Sequence, residues 1–386
     1  MTIAEKLQAI RTFVNGFKNK FGLTSTASMN DLDGQITDLK GDMVDNLTVK
    51  GITGLTGNET YPELVPEILN IPTGSDINDY FLTTMPSGMS DPIKTAAYLV
   101  KQIPRFTFDG MSCEYMFRDF ASLTSIDFTD FDTSNANSMR GMFMNCSSLP
   151  SLDLSGFDTS SCMSMSEMFA WCEDLTSINM TGFDTSHVDD MEGMFEGCSS
   201  LASLNLSDFR TPLCTTMKSM FSGCETLTTL NVSTFDTADV EDMSFMFSAC
   251  RGLTSLDLHT FNTGSVIAMD GMFDGCESLT TINTTGWDTS NVETMGGIFS
   301  GCEALTSLDL SNWDGSSLTD LGGAFNGCSA LATLDISNFD LTDVGCNNIC
   351  LGMPANATVY VMNAASQAKI LDNCPSGWTT SNVVIK

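Results

Sequence analysis

The sequence predicts an α/β repeat solenoid, with a parallel sheet on one face, short helices on the other and a small helical module at its N-terminal end. Three observations carry that prediction. Phenylalanine recurs without a break at Phe117, Phe143, Phe169, Phe195, Phe221, Phe247, Phe273, Phe299 and Phe325, an interval of 26 residues. Cysteine keeps the same interval from Cys146 to Cys328, with Phe120 in its slot in the first copy, and leucine keeps it from Leu123 to Leu331. Within each unit a period of two alternates with a helical period. A fixed interval of this length marks stacked units, none of which can bury its apolar face alone.

The extended element is clearest in "LPSLDLS", where Leu152 and Leu154 fall on one side and Ser151, Asp153 and Ser155 on the other. Nine such strands, stacked about 4.8 Å apart, predict a parallel sheet roughly 40 Å long with one open polar face. On the return side, as in "VETMGGIFSGC", Val292, Met295, Ile298, Phe299 and Cys302 form one stripe of a short helix. The helix start is placed at the threonine of "FDTS", found at Thr133, Thr159, Thr185, Thr211, Thr237, Thr263 and Thr289. Pro212 follows Thr211, and proline favours the first helical position with threonine as the cap before it. Asp158 and its equivalents then sit near the positive helix end.

Nine units occupy 113–353. Residues 354–386 break the interval; "ATVYVM" and "NVVIK" read as strands around the helical "AASQAKILD", a C-terminal cap over the last unit. Residues 75–112 are expected to cap the other end. Residues 1–74, with short helices over 3–21, 28–40 and 61–69, read as an attachment or oligomerisation module.

Composition restricts the partners. Acidic residues number 48 against 16 basic ones, a net charge of -32 that repels phosphate backbones and anionic membranes, so no nucleic acid is expected to bind. Hydrophobic residues make up 42% of the 386, too many for disorder. The opening "MTIAEKLQAIRTFVNGFKNKFG" lacks the apolar core and small-residue cleavage site of a secretory signal, and no run reaches the ~18 apolar residues of a membrane span. The chain therefore reads as soluble, without a cleaved signal and without membrane insertion.

Stacked cysteines would lie about 5 Å apart, near disulfide range between Cα atoms, but with side chains running parallel into the core. A buried thiol packs as a small hydrophobe, and Phe120 in the same slot favours packing over a disulfide or zinc, for which no short CxxC pair is present. Cys113, Cys162, Cys214, Cys346, Cys350 and Cys374 fall off the interval, form no regular framework and leave their redox state open. Met139, Met165, Met191, Met217, Met243, Met269 and Met295 read as core.

The polar sheet face carries the row Asp127, Asp153, Asn179, Asn205, Asn231, Asp257, Asn283, Asp309 and Asp335, flanked by serine and threonine rows that His259 interrupts. Two readings stand: a solvated face kept neutral enough to stack, or a recognition surface for a glycan or protein. Like charges in a ladder repel, which accounts for asparagine alternating with aspartate. The candidate binding residues are Ser151, Asp153, Ser155, Asn179, Asn205, Asn231, Asp257, His259, Asn283, Asp309 and Asp335. A second row, Asp132, Asp158, Asp184, Asp236, Asp288, Asp314 and Asp340, is broken by Arg210 and Asn262. Its helix-end role competes with calcium held between successive aspartates. No cofactor or metal is assigned, and no catalytic residue. The two histidines, His187 and His259, occupy unrelated positions, and no nucleophile elbow or phosphate loop is present. The chain reads as non-enzymatic, although so many acids would hide a glycosidase's carboxylate pair.

Units of the form "MF..C..L..L.LS.FDTS.V..M" closely resemble the BspA-like leucine-rich repeats, the subgroup found in bacterial surface lipoproteins and in proteins of phages of Gram-positive bacteria. The likeness covers about residues 105 to 353. It implies a right-handed leucine-rich-repeat-type solenoid that serves adhesion. The first hundred residues, including "NDYFLTTM", are similar to modules that precede such repeats in phage tail or fibre proteins. Together these imply a virion structural protein, a tail or head fibre assembled in the host cytoplasm. Its N-terminal region would join other virion proteins, and its solenoid would bind a host cell-surface glycan or protein. A homo-oligomer, trimeric by analogy with phage fibres, would raise avidity through many weak contacts. The alternatives are a bacterial cell-surface adhesin of the same repeat family and a purely structural decoration protein.

Overall fold

Leu152 pairs with Ile178, Leu256 with Ile282 and Leu308 with Leu334, each 26 residues on, so every turn of chain lands in register on the one before. The computed structural model describes residues 111–128, 131–374 and 376–386; the module expected at 1–74 and nearly all of the cap expected at 75–112 lie outside them. The architecture is a parallel β-solenoid of about nine turns. Its strands are β1 (Met111–Ser112), β2 (Ala136–Ser138), β3 (Ser151–Asp153), β4 (Ser177–Asn179), β5 (Ser255–Asp257), β6 (Thr281–Asn283), β7 (Ser307–Asp309), β8 (Thr333–Ile336), β9 (Thr358–Val361) and β10 (Val383–Ile385). One helix, α1 (Ala364–Asn373), stands between β9 and β10. No helix among the described residues is long and apolar enough to cross a membrane.

The predicted continuous sheet is broken. β3 pairs only with β4 and β5 only with β6, while β7 to β10 form a four-stranded sheet in the order β10-β9-β8-β7. The unbroken column lies elsewhere: single parallel bridges run Ser138, Ser164, Asp190, Thr216, Asp242, Ala268, Thr294, Asp320 and Gly345, one per turn.

That column opens the return side, where the expected helices are replaced by turns. The amides of Met139, Gly141, Phe143 and Asn145 donate to Ser164, Ser166, Met168 and Ala170 of the next turn at 2.9, 2.8, 2.8 and 2.7 Å. Committed to a neighbouring turn, they cannot make i→i−4 bonds. Between them, Met142, Met144 and Cys146 close tight turns onto Met139, Gly141 and Phe143. Residues four apart take left-handed backbone, as at Gly297 (φ 62°) and Gly301 (φ 68°), which a helix of L-residues does not tolerate. Glycine adopts that conformation without a Cβ penalty. Three residues at such positions are aromatic instead. Tyr115 (φ 54°), Trp171 (φ 61°) and Phe245 (φ 58°) lay their rings over Gly141, Gly197 and Gly271, one interval on, where an added Cβ would meet them at 2.4, 2.6 and 2.4 Å.

The "FDTS" threonines are buried but cap no helix. Thr159 Oγ1 donates to Asp184 O at 2.9 Å and accepts from Asp184 N at 2.8 Å, 25 residues away. Thr133, Thr185, Thr211, Thr237 and Thr289 make the same paired bonds to the turn above. One hydroxyl thus does at a corner what a strand's N–H and C=O do along an edge.

Inside, the nine recurring phenylalanines form a spine of rings with centroids 5.1–6.1 Å apart, offset and near-parallel. A second spine runs from Phe131 through Phe157, Phe183, Phe209 and Phe235 to Phe261, and Trp287 stacks on Trp313 farther along. The eight interval cysteines are free and buried. Each also donates a weak bond to a phenylalanine carbonyl of the preceding turn, from Cys146 to Phe117 O at 3.0 Å through Cys328 to Phe299 O at 3.0 Å. Burial pushes the Cys172 thiol up to about 12. Since the thiolate is the reactive form, iodoacetamide at pH 8 is expected to spare these eight in the native protein and to label them on unfolding. Peptide mapping by mass spectrometry checks this.

At the C-terminal end, Asn363 caps α1 by accepting from Ser366 N at 2.8 Å, and Ile370 is buried against the solenoid. β10 closes on β9 with Val383 opposite Val359.

Candidate binding face

In β3 and β5 the burial alternates, Leu152 and Leu256 inward, Ser151, Asp153, Ser255 and Asp257 outward. The outward acids and amides are first of all turn-makers. Asp153 Oδ1 accepts from Ser155 N at 3.1 Å and Ser155 Oγ at 2.8 Å, bending the chain out of the strand. Asn205, Asn231 and Asp309 take the amides of Ser207, Ser233 and Ser311 in the same way. The side chains also link turns: Asn179 Nδ2 donates to Asp153 at 2.9 Å and Asn283 Nδ2 to Asp257 at 2.8 Å. Asparagine therefore follows aspartate because it adds a donor, as well as because it removes a charge.

The Ser155 hydroxyl, with its amide, holds Asp153 below the usual carboxylate range, and the His259 imidazole does the same for Asp257 from 2.8 Å. Lowered acids contribute stability that is fully present above their unfolded value of about 3.9 and is lost as pH falls through their folded values. The turns of this face should therefore loosen on acidification below about pH 4, as amide exchange followed against pH would show.

Of the eleven residues singled out, ten are exposed and one is not. Asp335 is 5% exposed, beneath the C-terminal Lys386, whose ammonium forms an ion pair with its carboxylate. Burial would raise Asp335, but the bonds from Lys386 and Ser337 outweigh it and lower it. The open face thus ends at Asp309. The other aspartate row also serves turns rather than helices: Asp158 Oδ1 accepts from Ser160 N and Oγ at 3.0 and 2.6 Å. Among the described residues, no group of three or more His, Cys, Asp or Glu is placed to hold a metal.

What remains outward is a rigid, repeating set of hydroxyl, amide and carboxylate groups, one set per turn, suited to hydrogen bonding an extended polar chain. Asn283→Asp removes a donor and sets a carboxylate between Asp257 and Asp309, so that four consecutive turns, from Asp257 to Asp335, carry acids. Destabilisation of about 0.2–1 kcal/mol is expected, smaller at high salt; melts at low and high sodium chloride check it.

Trp171 and Phe245, 44% and 40% exposed, are the aromatic members of a set of exposed large hydrophobics among the described residues that composition did not disclose. Their signal was a glycine one interval downstream in each case, Gly197 and Gly271.

Four overlapping segments, 111–228, 164–285, 199–307 and 268–384, match a family described as "Mycoplasma protein of unknown function, DUF285". No curated protein matches. Among solved structures, a leucine-rich cell surface protein from Faecalibacterium prausnitzii A2-165 is similar at 19% identity and TM-score 0.35, covering 66% of this chain and 77% of that one. A leucine-rich repeat protein from Bacteroides ovatus ATCC 8483 is similar at 16% identity and TM-score 0.30, covering 59% of each. The pneumococcal vaccine antigen PcpA is similar at 12% identity and TM-score 0.32, covering 72% of this chain and 64% of that one. The chain spans less than two thirds of the latter two.

Proposed function

The chain belongs to the family described as "Mycoplasma protein of unknown function, DUF285", and from that premise we propose that it is a non-catalytic bacterial surface adhesin. Its solenoid holds out the Ser151, Asp153, Ser155 pattern and its repeats to bind an extended glycan or protein on another surface. The observation that supports this reading is the in-register exposure of those rows from β3 to β7 over a fully packed core. Each turn offers a weak contact, and the rigid spacing lets many act together. The net charge of -32 favours neutral or cationic partners over anionic ones.

A virion fibre is the second reading. It draws on the first hundred residues, outside the described part, whereas the adhesin reading draws on the repeats. Full-chain protein on a glycan array and on fixed bacterial cells tests the proposal. Saturable binding without release of reducing ends supports it; no binding to either favours a structural decoration protein, and reducing-end release would replace it with a glycosidase.

A further inference from the structure

The last turn departs from the others. Every bridge in the continuous column spans 26 residues until Asp320, which pairs with Gly345, only 25 on. Leu321 N donates to Gly345 O and Phe325 N to Ile349 O, at 2.7 and 2.9 Å. This register puts Cys346 in the slot of Met295 and Leu321, and Cys350 in the slot of Phe299 and Phe325. The phenylalanine spine therefore ends on a thiol, under the cap.

The cap supplies a second thiol at that spot. Cys374 directly follows α1, is half-buried and packs on the same core. The helix docks on the last turn, Ser366 Oγ accepting from Leu341 N at 3.1 Å and Lys369 Nζ donating to Thr342 O at 3.3 Å, which brings Cys374 into the neighbourhood of Cys350 and Cys346. Cys350 is fully buried, while Cys374 has a solvent-facing side. We propose that Cys350 and Cys374 are a dithiol–disulfide pair that, in an oxidising exterior, locks the C-terminal cap onto the last turn.

The step balances with a disulfide as oxidant. The Cys374 thiolate attacks R–S–S–R and releases one R–S⁻; the Cys350 thiolate then attacks the Cys374 sulfur of the mixed disulfide and releases the second. The protein loses two protons and two electrons, and the reagent leaves as two thiols. Contact with Cys374 and burial both hold Cys350 protonated, so the resolving step is slow and the lock, once closed, is slow to open. The ring closed spans residues 350 to 374 and ties down the end of the array, where a stacked structure frays first. The inference rests on the surface location proposed above, which supplies the oxidising exterior, and not on what the polar face binds.

Full-chain protein is incubated with oxidised glutathione and digested without reduction. A Cys350–Cys374 linked peptide is expected, with the interval cysteines still free. Limited proteolysis of the cap should slow at least about tenfold on oxidation and recover with dithiothreitol. Cys374→Ser, at a half-exposed position, should fold and lose this redox dependence. The proposal is overturned if Cys374 carries only glutathione or links to Cys346, or if oxidation slows proteolysis equally in Cys374→Ser.

Discussion

Phe221→Ala is expected to cost about 3–5 kcal/mol, the range for emptying a buried aromatic site, and to divide the unfolding of the array into two steps. Phe221 is fully buried at the middle of the spine, its ring 5.6 Å from Phe195 and 5.7 Å from Phe247. Both neighbours are held in register by the turns on either side, so neither can move in to fill the space. In a stacked array stability passes only between adjacent turns, and a weakened contact uncouples what lies on each side. Equilibrium denaturation of the wild-type array should show one solenoid transition and that of the variant two. A single transition with an unchanged midpoint would mean that the ring spine does not couple the turns.

Thr211→Val is the second large effect, and nearly isosteric. Thr211 Oγ1 donates to Asp236 O at 2.7 Å and accepts from Asp236 N at 2.9 Å. Valine leaves both backbone groups without a partner at a partly buried corner, at about 1–3 kcal/mol each before relaxation. A loss of about 2–4 kcal/mol is expected, together with faster exchange of the Asp236 amide. Thr211→Ser keeps the hydroxyl and should recover most of the loss. Equal destabilisation by serine and valine would assign the effect to the methyl group and its packing instead.

What was legible in the sequence is what the 26-residue interval controls: which residues stack, that Phe221 and Cys224 are buried, and that Leu152 faces in while Asp153 faces out. The return side forms turns where its periodicity predicts a helix, because apolar residues three and four apart line a helix and also line successive tight turns. The distinguishing sign was present in glycines spaced four apart, Gly271 with Gly275 and Gly323 with Gly327, inside what would have been a helix. The threonine departs from its expected cap role for a related reason: a hydroxyl that accepts from a nearby amide at a cap and one that bonds the next turn occupy the same sequence slot. The thiol bonds to phenylalanine carbonyls left no trace, since Phe120 fills the same slot without one. Nor could the covering of Asp335 be foreseen, because Lys386 reaches it from 51 residues away.

The most direct test of the account compares two triple variants of the full chain for binding to the cells or glycan on which the wild type is retained. One places lysine at Asn205, Asn231 and Asp257 on the polar face; the other places lysine at Ser222, Ser248 and Ser300 on the return side. If the polar face is the binding surface, the first variant should lose at least about tenfold in avidity and the second should retain it, with both folded as judged by their melting. Loss in the second variant with retention in the first would contradict the account and move recognition to the return side.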